Sequence, residues 1–253
     1  MNPTGDPPVF EDLDAEPAPA NPFWTYEDLA LFIAMVLPSI LIAVLLIAGG
    51  GLIAPAFFKR SIVQNLGGQL LTYVLLFGGL RQLLSTRYGR PLFGSLAWSF
   101  SITHALGALS FGPVLAISIG YLGSLLKAPI LKNPFENMMQ SSAEVAAVGF
   151  FAVVIGPLAE ELAFRGFLLP LLARTIGASA GVLMTALAFA LLHGPQYSWS
   201  WQHVVLVGSA GAVFGVVRLA TGSTGTAFLM HATYNLTFFA LALLQRSSFP
   251  EPV

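Results

Sequence analysis

Three short groups of ionisable and amide side chains interrupt the apolar second half of this chain: Gly156-Pro157-Leu158-Ala159-Glu160-Glu161-Leu162-Ala163-Phe164-Arg165-Gly166, Phe189-Ala190-Leu191-Leu192-His193-Gly194-Pro195 and His231-Ala232-Thr233-Tyr234-Asn235. On a helix, Glu161 and Arg165 stand four apart with the acid N-terminal, which puts them on one face in the better orientation for an ion pair. Glu160 lies about 100° further round and does not share that pairing. It is left with desolvation and a like-charged neighbour, the setting in which a carboxylate serves as a general base near neutral pH. The same residues also read as a structural Glu-Arg staple between helices, with Glu160 turned to a crevice. His193 sits where Gly194 and Pro195 stop a helix. Beside Glu160 it would share and orient a water molecule; alone, a histidine there is an interfacial or packing residue. Phe189, one turn earlier on the same face, is a pocket wall or simply core. His231 and Asn235 are again four apart, so ring and amide point to one side. Two donors converging on one place suit an oxyanion. Hydrogen bonding between helices is the other use of such a pair.

The elements that must carry these groups are membrane helices. Of 253 residues 56% are apolar and 9% charged, with a mean hydropathy of +0.78, which is incompatible with a soluble chain. An ionised side chain at mid-bilayer costs roughly 2.5 to 3.5 kcal/mol on the mildest insertion scale, so embedded acids and histidines call for a functional reason. The near-neutral charge of -1 leaves no footprint for nucleic acid. The absence of cysteine excludes disulfides, thiolate metal sites and a cysteine nucleophile. Residues 1–25, rich in proline and acids and lacking Lys and Arg, are expected to form a disordered tail. The acidic start does not resemble a secretory signal.

Runs of about 20 apolar residues predict spans over 29–58, 64–82, 104–126, 144–170, 178–193, 201–220 and 226–245. The expected fold is therefore an all-α polytopic bundle of about seven or eight helices, with an interfacial piece near 92–100 and a loop over 129–142. Lys and Arg are shared equally between alternate loops, so they do not orient the chain. His104 and His203 have no partner at helical spacing and read as packing or interfacial residues. Trp199 and Trp201 suit a membrane-interface belt, Gly211-x-x-x-Gly215 suits close helix packing, and Glu144 suits a first-turn charge.

The ordered trio Glu-Glu-x-x-x-Arg, Phe-x-x-x-His and His-x-x-x-Asn on successive apolar helices resembles the CPBP family of intramembrane proteases, which includes the CAAX prenyl endopeptidases of the Rce1 type and the bacteriocin-immunity (Abi) proteins. The likeness covers about residues 140 to 245. It implies N-terminal transmembrane helices over 26–140 and a catalytic core over 141–246. By that resemblance Glu160 is the water-activating base and His193 its helper, while His231 and Asn235 hold the oxyanion. Glu161 and Arg165 give structural support, and Phe164 and Phe189 line the substrate pocket. The implied activity is hydrolysis of a peptide bond near the C-terminus of a membrane-anchored or prenylated protein, without a cofactor, by a multi-pass protein of the cell membrane. Two other readings stay open. A zinc protease would take Glu160, His193 and His231 as ligands, although there is no His-Glu-x-x-His helix. A non-enzymatic binding, immunity or transport protein would use the buried charges otherwise.

Overall fold

The computed structural model describes residues 22–131 and 138–248. Among them there is no strand. The long helices are α1 (Tyr26–Ile53), α2 (Gly68–Tyr88), α3 (Ile102–Leu125), α4 (Ser142–Ile176), α5 (Ala178–Leu192), α6 (Trp201–Thr221) and α7 (Thr224–Ser248). Short helical turns at Pro55–Phe58, Leu92–Ser95 and Gly194–Tyr197 punctuate them. Without a bilayer donor for their backbone groups, apolar runs of this length satisfy themselves as helices.

Five of these helices, α1, α3, α4, α6 and α7, are long and apolar enough to cross a membrane, fewer than the seven or eight expected from the sequence. The two that fall short do so for different reasons. Helix α2 has 21 residues but carries Arg81 and Arg87, which lower its apolar content. Helix α5 is apolar but has only 15 residues, short of the roughly 20 a span requires. The family-like helices α4 to α7 nevertheless follow the expected order, and the packing partners are α3 with α7, α5 with α6, and α1 with α2.

The N-terminal boundary also differs from expectation. Residues 1–21 lie outside the described residues, but Trp24, assigned to the tail by composition, is 1% exposed. Its indole donates to the Phe167 carbonyl at 3.1 Å and stacks on the Phe167 ring at 5.3 Å. A large aromatic that fills a hole and finds a partner for its N–H gains more than it loses in chain entropy. Next to it, Asp28 is fully buried yet accepts from Thr25 N at 2.8 Å, Tyr88 Oη at 2.6 Å and Arg87 Nη1 at 2.5 Å. This staple fixes the start of α1 against the end of α2. In the expected loop at 129–142, residues 132–137 fall outside the described residues. The piece near 92–100 is a short turn whose Leu92 and Leu96 are buried, with Trp98 packed on Phe100 and Phe228. Its leucines pack into the bundle while Phe93 and Phe100 stay about half exposed. Thr224 Oγ1 and Ser223 Oγ donate to the carbonyls of Leu96 and Ser99 and so tie it to the start of α7.

Candidate active site

Helix α4 runs for 35 residues but is not uniform. Widened π turns occupy Phe151–Ile155 and Leu162–Leu168, and ordinary α-helix at Gly156–Glu161 lies between them. Each wide turn precedes a proline. Pro157 and Pro170 lack an N–H and would press on the carbonyls of Val153 and Gly166, and both of those residues lie inside the widened turns. Local widening is how a helix absorbs that clash without breaking. The adjacent Glu160 and Glu161 are thereby carried on the segment between two such turns, a placement often found at functional sites.

The two carboxylates have different surroundings. Glu161 is completely buried, and its Oε1 accepts from Arg165 Nη1 at 2.9 Å and His231 Nδ1 at 2.8 Å. Arg165, also completely buried, donates through Nη2 to the carbonyl of Gly211 on α6 at 2.7 Å. Its guanidinium carbon lies 4.6 Å from the centre of the Phe189 ring, 5.4 Å from Phe214 and 5.9 Å from Phe164. A desolvated cation in such a cage is held by ring quadrupoles as well as by its ion pair. Glu160 instead keeps 24% of its side chain exposed, with Oε1 at 3.7 Å from His193 Nε2 and Oε2 at 3.7 Å from His231 Nε2. These separations are longer than direct hydrogen bonds, so a water that touches both groups would sit beside the pair and not between its atoms.

The second ring atom of each histidine is fixed from behind. His193 Nδ1 lies 2.8 Å from the Phe189 carbonyl one turn back on α5, and His231 Nδ1 lies against Glu161. Each anchor turns Nε2 toward Glu160. His231 also stacks on Phe214, with centroids 4.5 Å apart. Gly194 lets the chain turn directly after His193. A Cβ there would sit 2.5 Å from the Trp199 ring, and Ser198 and Trp199 both take left-handed backbone angles in the same turn. Tyr73 on α2 and Tyr197 in this turn lie within electrostatic reach of Glu160.

The structure thus brings Glu160, Glu161, Arg165, His193 and His231 together. Asn235 is placed differently. Its Nδ2 donates to the Ala152 carbonyl at 2.8 Å, in the first π turn, where the widened helix exposes an acceptor. One of its two amide N–H groups is therefore spent on holding α7 to α4 and does not join His231 at a common empty point. Phe164 and Phe189 pack on each other at 5.1 Å and around Arg165, and Phe189 is 3% exposed. They support the cluster from inside. Phe214 and Gly211 carry no functional signal in the sequence. Gly211 reads there as packing only, yet its carbonyl serves Arg165, and a Cβ would come within 3.1 Å of Phe189 and 3.2 Å of Arg165 Nη2.

The zinc reading takes Glu160, His193 and His231 as ligands; Glu160 faces the two Nε2 atoms through its two different oxygens, and His231 Nδ1 is held by Glu161. Among the described residues, no group of three or more His, Cys, Asp or Glu side chains is arranged to hold a metal ion.

With this geometry in view, the relationship to known proteins is informative. Residues 142–237 match the type II CAAX prenyl endopeptidase Rce1-like family. The matched stretch is less than half of the chain, and it contains every one of the clustered polar residues, from Glu160 to Asn235. No curated protein and no solved structure matches the chain. Over that stretch this integral membrane protein is similar to CAAX-type intramembrane proteases, and a peptidase is the activity class that the similarity suggests.

Proposed function

We propose that this protein is an intramembrane endopeptidase in which Glu160 activates water to cut a membrane-anchored protein near its C-terminus. The observation that carries this reading is the division of labour between adjacent acids. Glu161 is locked in a buried ion pair, while Glu160 faces two imidazoles at 3.7 Å and keeps about a quarter of its side chain exposed. A water held against both Glu160 and His193 loses a proton to the Glu160 carboxylate as its oxygen adds to the scissile carbonyl. The same proton then passes to the departing amine, the C–N bond breaks, and the carboxylate is restored. His231, protonated on both ring nitrogens so that Nε2 also donates while Nδ1–H stays on Glu161, and the remaining N–H of Asn235 donate to the tetrahedral oxyanion. Such donors contribute about 2.7 to 4 kcal/mol each in reference enzymes. Glu161 and Arg165 hold His231 in place and take no part in proton transfer.

The partner is a membrane-anchored peptide or protein, with prenylated CAAX-type chains the class that the family match favours, and the setting is the cell membrane. The test uses purified protein in lipid and a quenched, membrane-anchored peptide offered with and without a prenyl group. Glu160→Gln should lower turnover by about 10² to 10⁴ fold, the range for loss of a general base, with folding unchanged. Wild-type turnover by folded Glu160→Gln protein would overturn the assignment. Equal cleavage of both peptides would remove the prenyl group from the substrate description.

A further inference from the structure

At the C-terminal end of α2, a cleft of about 420 Å³ is lined by Arg81, Ser85, Gly89, Arg90, Leu92 and Phe93. Arg81, Ser85 and Gly89 follow one another at helical spacing and form one face of α2. Gly89 takes φ +64°, and the chain closes there with Gly89 N bonded to the Ser85 carbonyl at 3.0 Å and Arg90 N to the Leu84 carbonyl at 3.3 Å. That left-handed cap returns Arg90 over the same face as Arg81. The third arginine of this region, Arg87, points the other way and is satisfied by Asp28 and Glu27. Neither Arg81 nor Arg90 pairs with a carboxylate among the described residues. Both are exposed, and Arg90 otherwise lies 5.9 Å over the Phe23 ring.

The level of the cleft identifies what meets it. Arg87 and Tyr88 bond to Asp28, so the end of α2 lies beside the first turn of α1, where a membrane span begins. Arg81 is seven residues deeper, roughly 10 Å along the helix, a depth from which an arginine reaches the headgroup layer. The remaining wall is apolar, with Phe93 half exposed and 6.0 Å from Trp98, which in turn touches Phe100, an aromatic set suited to the bilayer interface. Paired cations above an apolar wall complement a phosphodiester whose other side is an acyl chain. They do not complement a choline headgroup, whose ammonium would face the arginines.

We infer that the cleft between α2 and the Leu92 turn is a binding site for the phosphate headgroup of an anionic phospholipid. It is separate from the Glu160 cluster and independent of the proposed protease activity.

The experiment measures lipid retained by the purified, detergent-solubilised protein, by native mass spectrometry, after exposure to phosphatidylglycerol or phosphatidylcholine. Wild type should retain phosphatidylglycerol preferentially. Arg81→Gln and Arg90→Gln should each weaken that retention about fivefold, the effect of about 1 kcal/mol for a single basic residue at an anionic surface. Lys59→Gln, which removes an exposed charge elsewhere, should leave it unchanged. Thermal unfolding of each variant without lipid verifies folding, which these exposed substitutions should preserve. Equal retention by Arg81→Gln/Arg90→Gln and wild type, or equal uptake of the two lipids, overturns the inference. Displacement of the lipid by millimolar inorganic phosphate would make this a free-phosphate site and overturn it too.

Discussion

At the residue scale, the buried pair Glu161–Arg165 and the half-open Glu160 obey opposite physical rules. A fully desolvated arginine whose carboxylate is removed is left as an uncompensated charge, which costs about 3–5 kcal/mol, whereas removing both charges together is far cheaper. Glu161→Gln should accordingly lower stability strongly, and Glu161→Gln/Arg165→Met should recover much of it, as read by thermal unfolding in detergent. Recovery of fold without recovery of peptidase activity is expected, because the double variant holds His231 Nδ1 by a neutral amide oxygen in place of the carboxylate. If Glu161→Gln were as stable as wild type, the pair would not be the internal support of the site. Glu160→Gln belongs to the other class: with a quarter of its side chain exposed, its loss should be felt in turnover and not in folding.

At the element scale, the register of α4 decides where the carboxylates point. The π turns at Phe151–Ile155 and Leu162–Leu168 each insert extra backbone into a helix that otherwise advances 100° per residue. They are stabilised by Pro157 and Pro170, for which a regular α-turn would clash. Pro157→Ala removes that reason for the first wide turn. We predict that it leaves the protein folded or slightly more stable but lowers peptidase turnover at least tenfold, because Glu160 rotates away from His193 and the Ala152 carbonyl is no longer offered to Asn235. Unchanged turnover in Pro157→Ala would show that the π turn is incidental. On α5, Gly194 has a comparable role. Gly194→Ala would drive a methyl into Trp199 at 2.5 Å, and the strained turn that presents His193 should give way. A loss of activity larger than the loss of thermal stability is the expected signature.

At the scale of the whole molecule, the N-terminal helices are bound to the matched core through the aromatic junction of Trp24, Phe32 and Phe167. Trp24→Ala should cost about 3–5 kcal/mol, as for other large buried aromatics, and should loosen the backbone of α4 at Phe167 by removing the hydrogen bond to its carbonyl. Hydrogen exchange in α4, compared between wild type and variant, checks this; equal protection would mean that the two halves fold independently. Through this junction the polar cluster at residues 156–235 is packed against helices that carry none of it.

The spacing of polar residues against an apolar background was sufficient to establish a membrane protein and an all-helical architecture, because bilayer desolvation leaves ionisable groups few places to lie, whereas the grouping of Glu160 with His193 and His231 was only what the family resemblance implied. The i,i+4 relation of Glu161 to Arg165 was likewise legible, since both lie on one helix. What depended on atoms brought from distant parts of the chain was not. Gly211 offers only a carbonyl, Phe214 is one aromatic among many, and the engagement of Asn235 with Ala152 follows from a local widening that no helical periodicity encodes. Trp24 looked like part of a tail because its neighbours are acidic and proline-rich, and only the cavity beside Phe167, formed by residues more than a hundred positions away, gave it a place. Composition and local geometry fix what must be buried; the partner that each buried group finds is a property of the packed chain.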